Sequence, residues 1–187
     1  MIIGVLALQG AVSEHLKMVT ACGVTTRPVK TEAELKDLDG LIIPGGESTT
    51  IRKLLVREQM LEPLKELVQQ GFPVFGTCAG LVLLAQPDLL NGLNGTVVRN
   101  GFGRQRESFE TELTVKGWSK PYHGVFIRAP YLSAVQEPAE ALVTLDDGRI
   151  VAAQQDHVLV TSFHPELTGD ERFHRYFIEK MVAGEGK

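Results

Sequence analysis

A chain of 187 residues with 43% hydrophobic content can bury a full core and is expected to form one domain over 1–187, since single cores reach roughly 250 residues before dividing. The 23 acidic and 19 basic residues are interspersed and leave a formal net charge of -4, so no basic stripe exists to neutralise a phosphate backbone and nucleic acid is not an expected partner. The opening apolar run, Met1 to Leu8, is too short to cross a bilayer and lacks the basic leader of a signal peptide, and two cysteines make no disulfide framework; no membrane is expected, and the cytoplasm is the expected compartment.

In chain order, Ile2 to Leu8 reads as a buried strand, Ser13 to Cys22 as an amphipathic helix stopped by Gly23, and Thr26 to Val29 as a second strand. Thr31-Glu32-Ala33-Glu34 has the capping-box spacing of a short helix, and Leu41-Ile42-Ile43 is a third strand. Helical periodicity resumes at Thr50, and Leu61, Leu64, Leu67 and Val68 form an apolar core stripe on a helix closed by Gly71. A strand ending Pro73-Val74-Phe75 follows, then a turn carrying Cys78, then the apolar helix beginning Leu81-Val82-Leu83. From Thr96 to Phe163 the pattern alternates apolar and polar, with Asp147-Gly148 as a hairpin turn, so antiparallel strands are expected there. A last helix runs from about Asp170 to Val182. Alternating strands and helices give an α/β class: a three-layer α/β/α arrangement with a mostly parallel, flavodoxin-like central sheet plus antiparallel strands in the second half.

Ligands in open α/β sheets bind at the carboxyl ends of the strands, and three such ends carry chemistry. Gly76-Thr77-Cys78-Ala79-Gly80 places a thiol at a strand-to-helix corner, where flanking glycines remove clashing side chains as in a nucleophile elbow. The helix start would favour the thiolate. Cys78 is thus a candidate nucleophile, with a small buried packing cysteine as the other reading. A thiol needs a base, and His164 is the best of five histidines because Glu166 follows two residues on, across Pro165, where its carboxylate can orient the ring. The His-Pro-Glu stretch could also be a loop capping the last helix. His15 and His174 fall in helical patterns and read as surface or satisfied positions, while His123 and His157 lack a carboxylate partner at that spacing. Gly45-Gly46 lacks the Lys-Ser/Thr of a phosphate loop but can offer backbone N–H groups to an oxyanion, paired with the amide of Ala79; a turn needing only glycine's φ is the alternative.

With these elements in order, the chain resembles the triad-type glutamine amidotransferases, and within them the branch of glutaminase subunits that serves pyridoxal 5'-phosphate synthases. The likeness is carried by Leu6 to Val12, Pro44 to Thr50, Gly76 to Gly80, Asn100-Gly101-Phe102-Gly103-Arg104-Gln105, Phe126-Ile127-Arg128-Ala129-Pro130 and Ser162 to Thr168. The connection from Gln86 to Asn94 is shorter than the family usually has. The resemblance implies hydrolysis of L-glutamine through a thioester on Cys78, with His164 as base and acid and Glu166 behind it. It also implies glutamine contacts at Gly46, Glu47, Ser48, Arg99, Ile127 and Arg128, an oxyanion hole from Gly46 and Ala79, no metal and no cofactor. The implied partner is the synthase subunit, in a hetero-oligomer that receives the ammonia, with little glutaminase activity expected before docking. A cysteine hydrolase or peptidase on the same fold, or a partner-binding module without catalysis, are the competing readings.

Overall fold

The computed structural model describes residues 1–102 and 108–184; Gly103, Arg104 and Gln105 of the sequence motif lie outside the described residues. Five parallel strands form the heart of the sheet: β1 (Ile2–Leu6), β2 (Thr25–Val29), β3 (Gly40–Ile43), β4 (Val74–Thr77) and β11 (Val158–Thr161), ordered β2-β1-β3-β4-β11. This is the doubly wound order expected from the βαβ alternation. Beyond β11 the sheet continues antiparallel through β10 (Ile150–Gln155), β8 (Tyr131–Val135) and β5 (Gly95–Val98), while β9 (Glu140–Thr144) also pairs with β10. The Asp147-Gly148 hairpin joins β9 to β10, with Leu145 N–H donating to the Arg149 carbonyl at 2.8 Å. A separate ribbon pairs β6 (Ser108–Leu113) with β7 (Tyr122–Ile127).

Side chains of the parallel strands alternate between two cores, as period-2 geometry demands. Leu41, Ile43, Val74, Val158 and Val160 join one cluster with residues of α2 (Ser48–Arg57), α3 (Leu61–Gln69) and α4 (Ala79–Ala85). Ile42, Phe75 and Leu159 join the other, with Val19 of α1 (Val12–Ala21) and Phe173 of α5 (Arg172–Tyr176), which continues as a π-helical segment, Phe177–Val182. Helices therefore cover both faces. In α3, Leu64 and Val68 are buried and Leu61 and Leu67 partly so, confirming that stripe as core. The short 86–94 connection folds back on α4: Leu89, Leu90 and Leu93 are buried, and Gly92 N–H donates to the Leu84 carbonyl at 2.8 Å.

The close contact that fixes the elbow is between α4 and β3. A Cβ placed on Gly80 would lie 2.3 Å from the Ile43 carbonyl oxygen, which belongs to backbone and cannot swing aside. Alanine is favoured over glycine in a helix by only about 1 kcal/mol, whereas overpacking of this kind costs about 3 kcal/mol. The clash wins. Gly80→Ala should lower the urea midpoint by an amount equivalent to about 2 kcal/mol; an unchanged midpoint would mean that α4 is free to lift from β3.

Candidate active site

The sequence brings β4 and β11 into register with Thr77 opposite Thr161, and the pairing continues one step further as Cys78 N–H donates to the Thr161 carbonyl at 2.8 Å. Chain direction then reverses sharply. Cys78 sits at φ 50 and ψ -101, outside the ordinary regions for a side-chain-bearing residue, before α4 begins at Ala79. This is the strained corner expected of a nucleophile elbow. As the first residue of α4, Ala79 has an amide N–H that the helix's own bonding leaves unused. Cys78 is buried except for an edge that faces a cleft of about 790 Å³.

From β11 the chain runs through Ser162 and Phe163 to His164, whose amide donates to the Val125 carbonyl of β7 at 2.8 Å. That bond fixes the backbone from which the ring projects. Glu166 follows in a 3-10 turn, Pro165–Leu167, and its Oε1 lies 2.7 Å from His164 Nδ1 with both side chains buried. Gly45 packs against both residues: a Cβ placed there would lie 2.5 Å from His164 Cε1 and 3.2 Å from Cys78 Cβ. Only a residue without a side chain leaves room for both. Burial alone would lower the His164 pKa, but hydrogen bonds to Cys78 and Glu166, with their negative charge, outweigh it and raise the value to about 10.

Every residue expected around the substrate lines the cleft: Gly46, Glu47, Ser48, Arg99, Ile127 and Arg128, together with Cys78, Ala79 and His164. Glu47 caps α2, accepting from Thr49 N–H at 3.0 Å and Thr50 N–H at 2.7 Å, and these bonds, that of the Thr50 hydroxyl first, bring its carboxyl down to about 2. Arg99, just beyond β5, reaches across to the Ser48 hydroxyl at 2.6 Å and to Glu47 Oε1 at 3.7 Å. Ile127 ends β7 with its carbonyl oxygen 4.0 Å from Cys78 Sγ, and Arg128 follows with φ 45. Val82 of α4 and Asn100, Phe102 and Pro130 complete the wall; the sequence marked the last three only as motif members. Gln9 carries no site signal of its own in the sequence beyond its place in a motif, yet its Oε1 accepts from Glu47 N–H at 2.9 Å and steadies that turn.

Other histidines fall elsewhere. His123 lies on the ribbon between Glu110 and Glu112, each 2.7 Å from a ring nitrogen, and His157 Nδ1 sits 3.3 Å from the Met181 carbonyl. The surface alternative for His15 and His174 is overturned: both are fully buried, because the α1 and α5 faces that carry them pack inward behind Glu166.

A model of the SNO glutamine amidotransferase family matches residues 5–183. The chain belongs to the SNO glutamine amidotransferase family. It is 52% identical over 186 residues to the pyridoxal 5'-phosphate synthase subunit PdxT of Listeria welshimeri, a match covering 96% of this chain and 98% of that protein. Its identity to the PdxT of Geobacillus thermodenitrificans is 53% over 185 residues, covering 96% and 94%. A crystal structure described as a glutamine amidotransferase superposes with a TM-score of 0.89 at 44% identity, covering 97% of this chain and 98% of that one. A Thermoplasma acidophilum protein described as a GMP synthase component shares the fold, with a TM-score of 0.71 at 18% identity over 98% of this chain and 94% of that one. Membership in the SNO family makes the chain an enzyme of the amidotransferase class, and the cleft with Cys78 at its floor is its candidate active site.

Proposed function

We propose that this SNO-family chain is the glutaminase of a pyridoxal 5'-phosphate synthase, hydrolysing L-glutamine to glutamate and ammonia at Cys78. The observation that carries the reading is the buried His164 ring, hydrogen-bonded through Nδ1 to the sealed carboxylate of Glu166 and lining the same cleft as Cys78. In this reading the His164 ring, whose raised pKa keeps it charged near neutrality, already holds the proton that the sulfur has shed, and the sulfur of Cys78 attacks the carboxamide carbon. The developing oxyanion is received by the amides of Gly46 and Ala79. His164 then hands its proton to the departing ammonia, leaving a glutamyl thioester, and the same ring draws a proton from the water that releases glutamate. Glu166 holds the ring and stabilises its charged form.

The substrate is a zwitterion and needs both signs of charge, which Arg99, Arg128 and Glu47 supply at the cleft, with Ser48 and Ile127 beside them. None of these steps calls for a metal or a cofactor. Ammonia freed into water would be protonated and lost as a nucleophile, so the expected partner is a synthase subunit docked as a hetero-oligomer. Residues 1–187 act in this reading as a single domain. The cytoplasm is its proposed compartment, in keeping with two free thiols and with the absence, among the described residues, of a helix long and apolar enough to cross a membrane.

Docking is further proposed to complete the Gly45-Gly46 turn as an oxyanion site. Ammonia release from glutamine should rise roughly a hundredfold or more when the synthase subunit is added, the scale expected from one added oxyanion donor. Equal turnover with and without it would overturn the docking step. No release under either condition would overturn the glutaminase reading itself.

A further inference from the structure

Behind Glu166 lies a second buried cluster that the reaction above does not use. The Glu166 side chain is fully buried, and while Oε1 is engaged by His164, Oε2 has no hydrogen bond of ordinary geometry among the described residues. A sealed carboxylate oxygen with no donor is strongly penalised. The ring nitrogen facing it is His15 Nε2 of α1, at 3.4 Å, which also lies 3.2 Å from the Thr77 hydroxyl on β4. On its far side, His15 Nδ1 lies 2.8 Å from Nε2 of His174 on α5. His174 Nδ1 in turn has no partner among the described residues.

We propose that His15 is a positioning residue for Glu166, presenting an Nε2–H to the second carboxylate oxygen in a tautomer dictated by His174. This rests on the glutaminase reading of the cleft. Burial, the largest cause for each, holds both rings neutral, and the nearby His164 further disfavours a charge on His15, so each ring has one proton to place. With that proton on His15 Nδ1, a bare nitrogen lone pair would face a carboxylate oxygen. With it on Nε2, the carboxylate gains a donor and His15 Nδ1 accepts from His174 Nε2–H. The atom then left bare is His174 Nδ1, an acceptor beside the ring of Phe75, and an unpaired acceptor is tolerated better than an unpaired N–H. Three helical or turn elements thereby form one directed line: α5 donates to α1, α1 donates to the carboxylate, and the carboxylate receives His164 from the other side.

Long-range 1H–15N correlation on the unsubstituted, 15N-labelled protein tests this without any variant. Both His15 and His174 should appear as Nε2–H tautomers; His15 found as the Nδ1–H form would overturn the proposal. In the complex with the synthase subunit, His15→Leu should lower kcat roughly tenfold with KM changed less than about twofold, as loss of an outer partner of a working imidazole typically does. His15→Gln, whose amide can place an N–H where Nε2 stood, should recover the rate to within about threefold of the unsubstituted enzyme. Leucine and glutamine variants of equal rate would reduce His15 to a packing residue and overturn the proposal. Failure of the unsubstituted complex to release ammonia would instead strike the glutaminase reading, whereas the tautomers report on His15 alone.

Discussion

Cys78→Ala should abolish ammonia release from glutamine, with kcat in the synthase complex falling by at least about 10⁴, because the covalent route through the thioester disappears. The second thiol offers no substitute. Cys22 caps the far end of α1, with Sγ 3.9 Å from Glu171 Oε2, and burial beside that carboxylate pushes its pKa up to about 11. The fold should survive the change, since alanine removes one atom and keeps the same strained φ of 50 at the corner. A melting temperature within a few degrees of the parent would separate loss of chemistry from loss of structure. A Cys78→Ala protein that still releases ammonia at a tenth of the parent rate would refute the assignment of the nucleophile.

The second large effect belongs to His164. His164→Asn should bring kcat down by about 10³ or more, because both proton transfers depend on one ring, while Glu166→Gln should leave a measurable fraction of the rate because it supports that ring. The titration of His164 gives an independent check. Its folded pKa is raised to about 10, above the roughly 6.5 of an unfolded histidine, so the stabilisation it contributes is complete below about 6.5 and is lost as pH climbs through 10. Glu166→Gln removes the charge that raises this value and leaves at most a neutral acceptor at Nδ1. In that variant the imidazole should therefore deprotonate at lower pH, and the alkaline edge of stability should move down with it. An NMR titration of the His164 ring that is identical in parent and variant would show that Glu166 does not govern its charge.

Much of this architecture was legible in the chain because it is written at short range. The alternation of apolar residues along Leu41-Ile42-Ile43 and Val158 to Val160 matches the two cores they feed, and the capping box at Thr31 forms as its spacing implies. Cys78 between two glycines and His164 two residues from Glu166 are likewise local signals, and the fold turns each toward the same cleft. What escaped was long-range. Arg99 and Ser48 stand 51 residues apart in sequence and meet through the sheet. His15 and His174 stand 159 apart, and a helical pattern cannot reveal that the two faces carrying them close on each other behind the catalytic floor. The β6–β7 ribbon, paired outside the main sheet, was foreseeable only as antiparallel strands somewhere in the second half.

Gly45 has a consequence for how this enzyme could be altered. The Cβ of Cys78 and the His164 imidazole both border a space that one methyl group would occupy, so the seating of each depends on a missing carbon. Its backbone does not demand glycine in the way a left-handed turn would, and a chain with alanine there can still reach the same topology. Residue 45 is therefore a place where the requirements of a folded polypeptide and of a working catalyst part company: screening for solubility alone would let pass the change that most directly pries the reactive pair asunder.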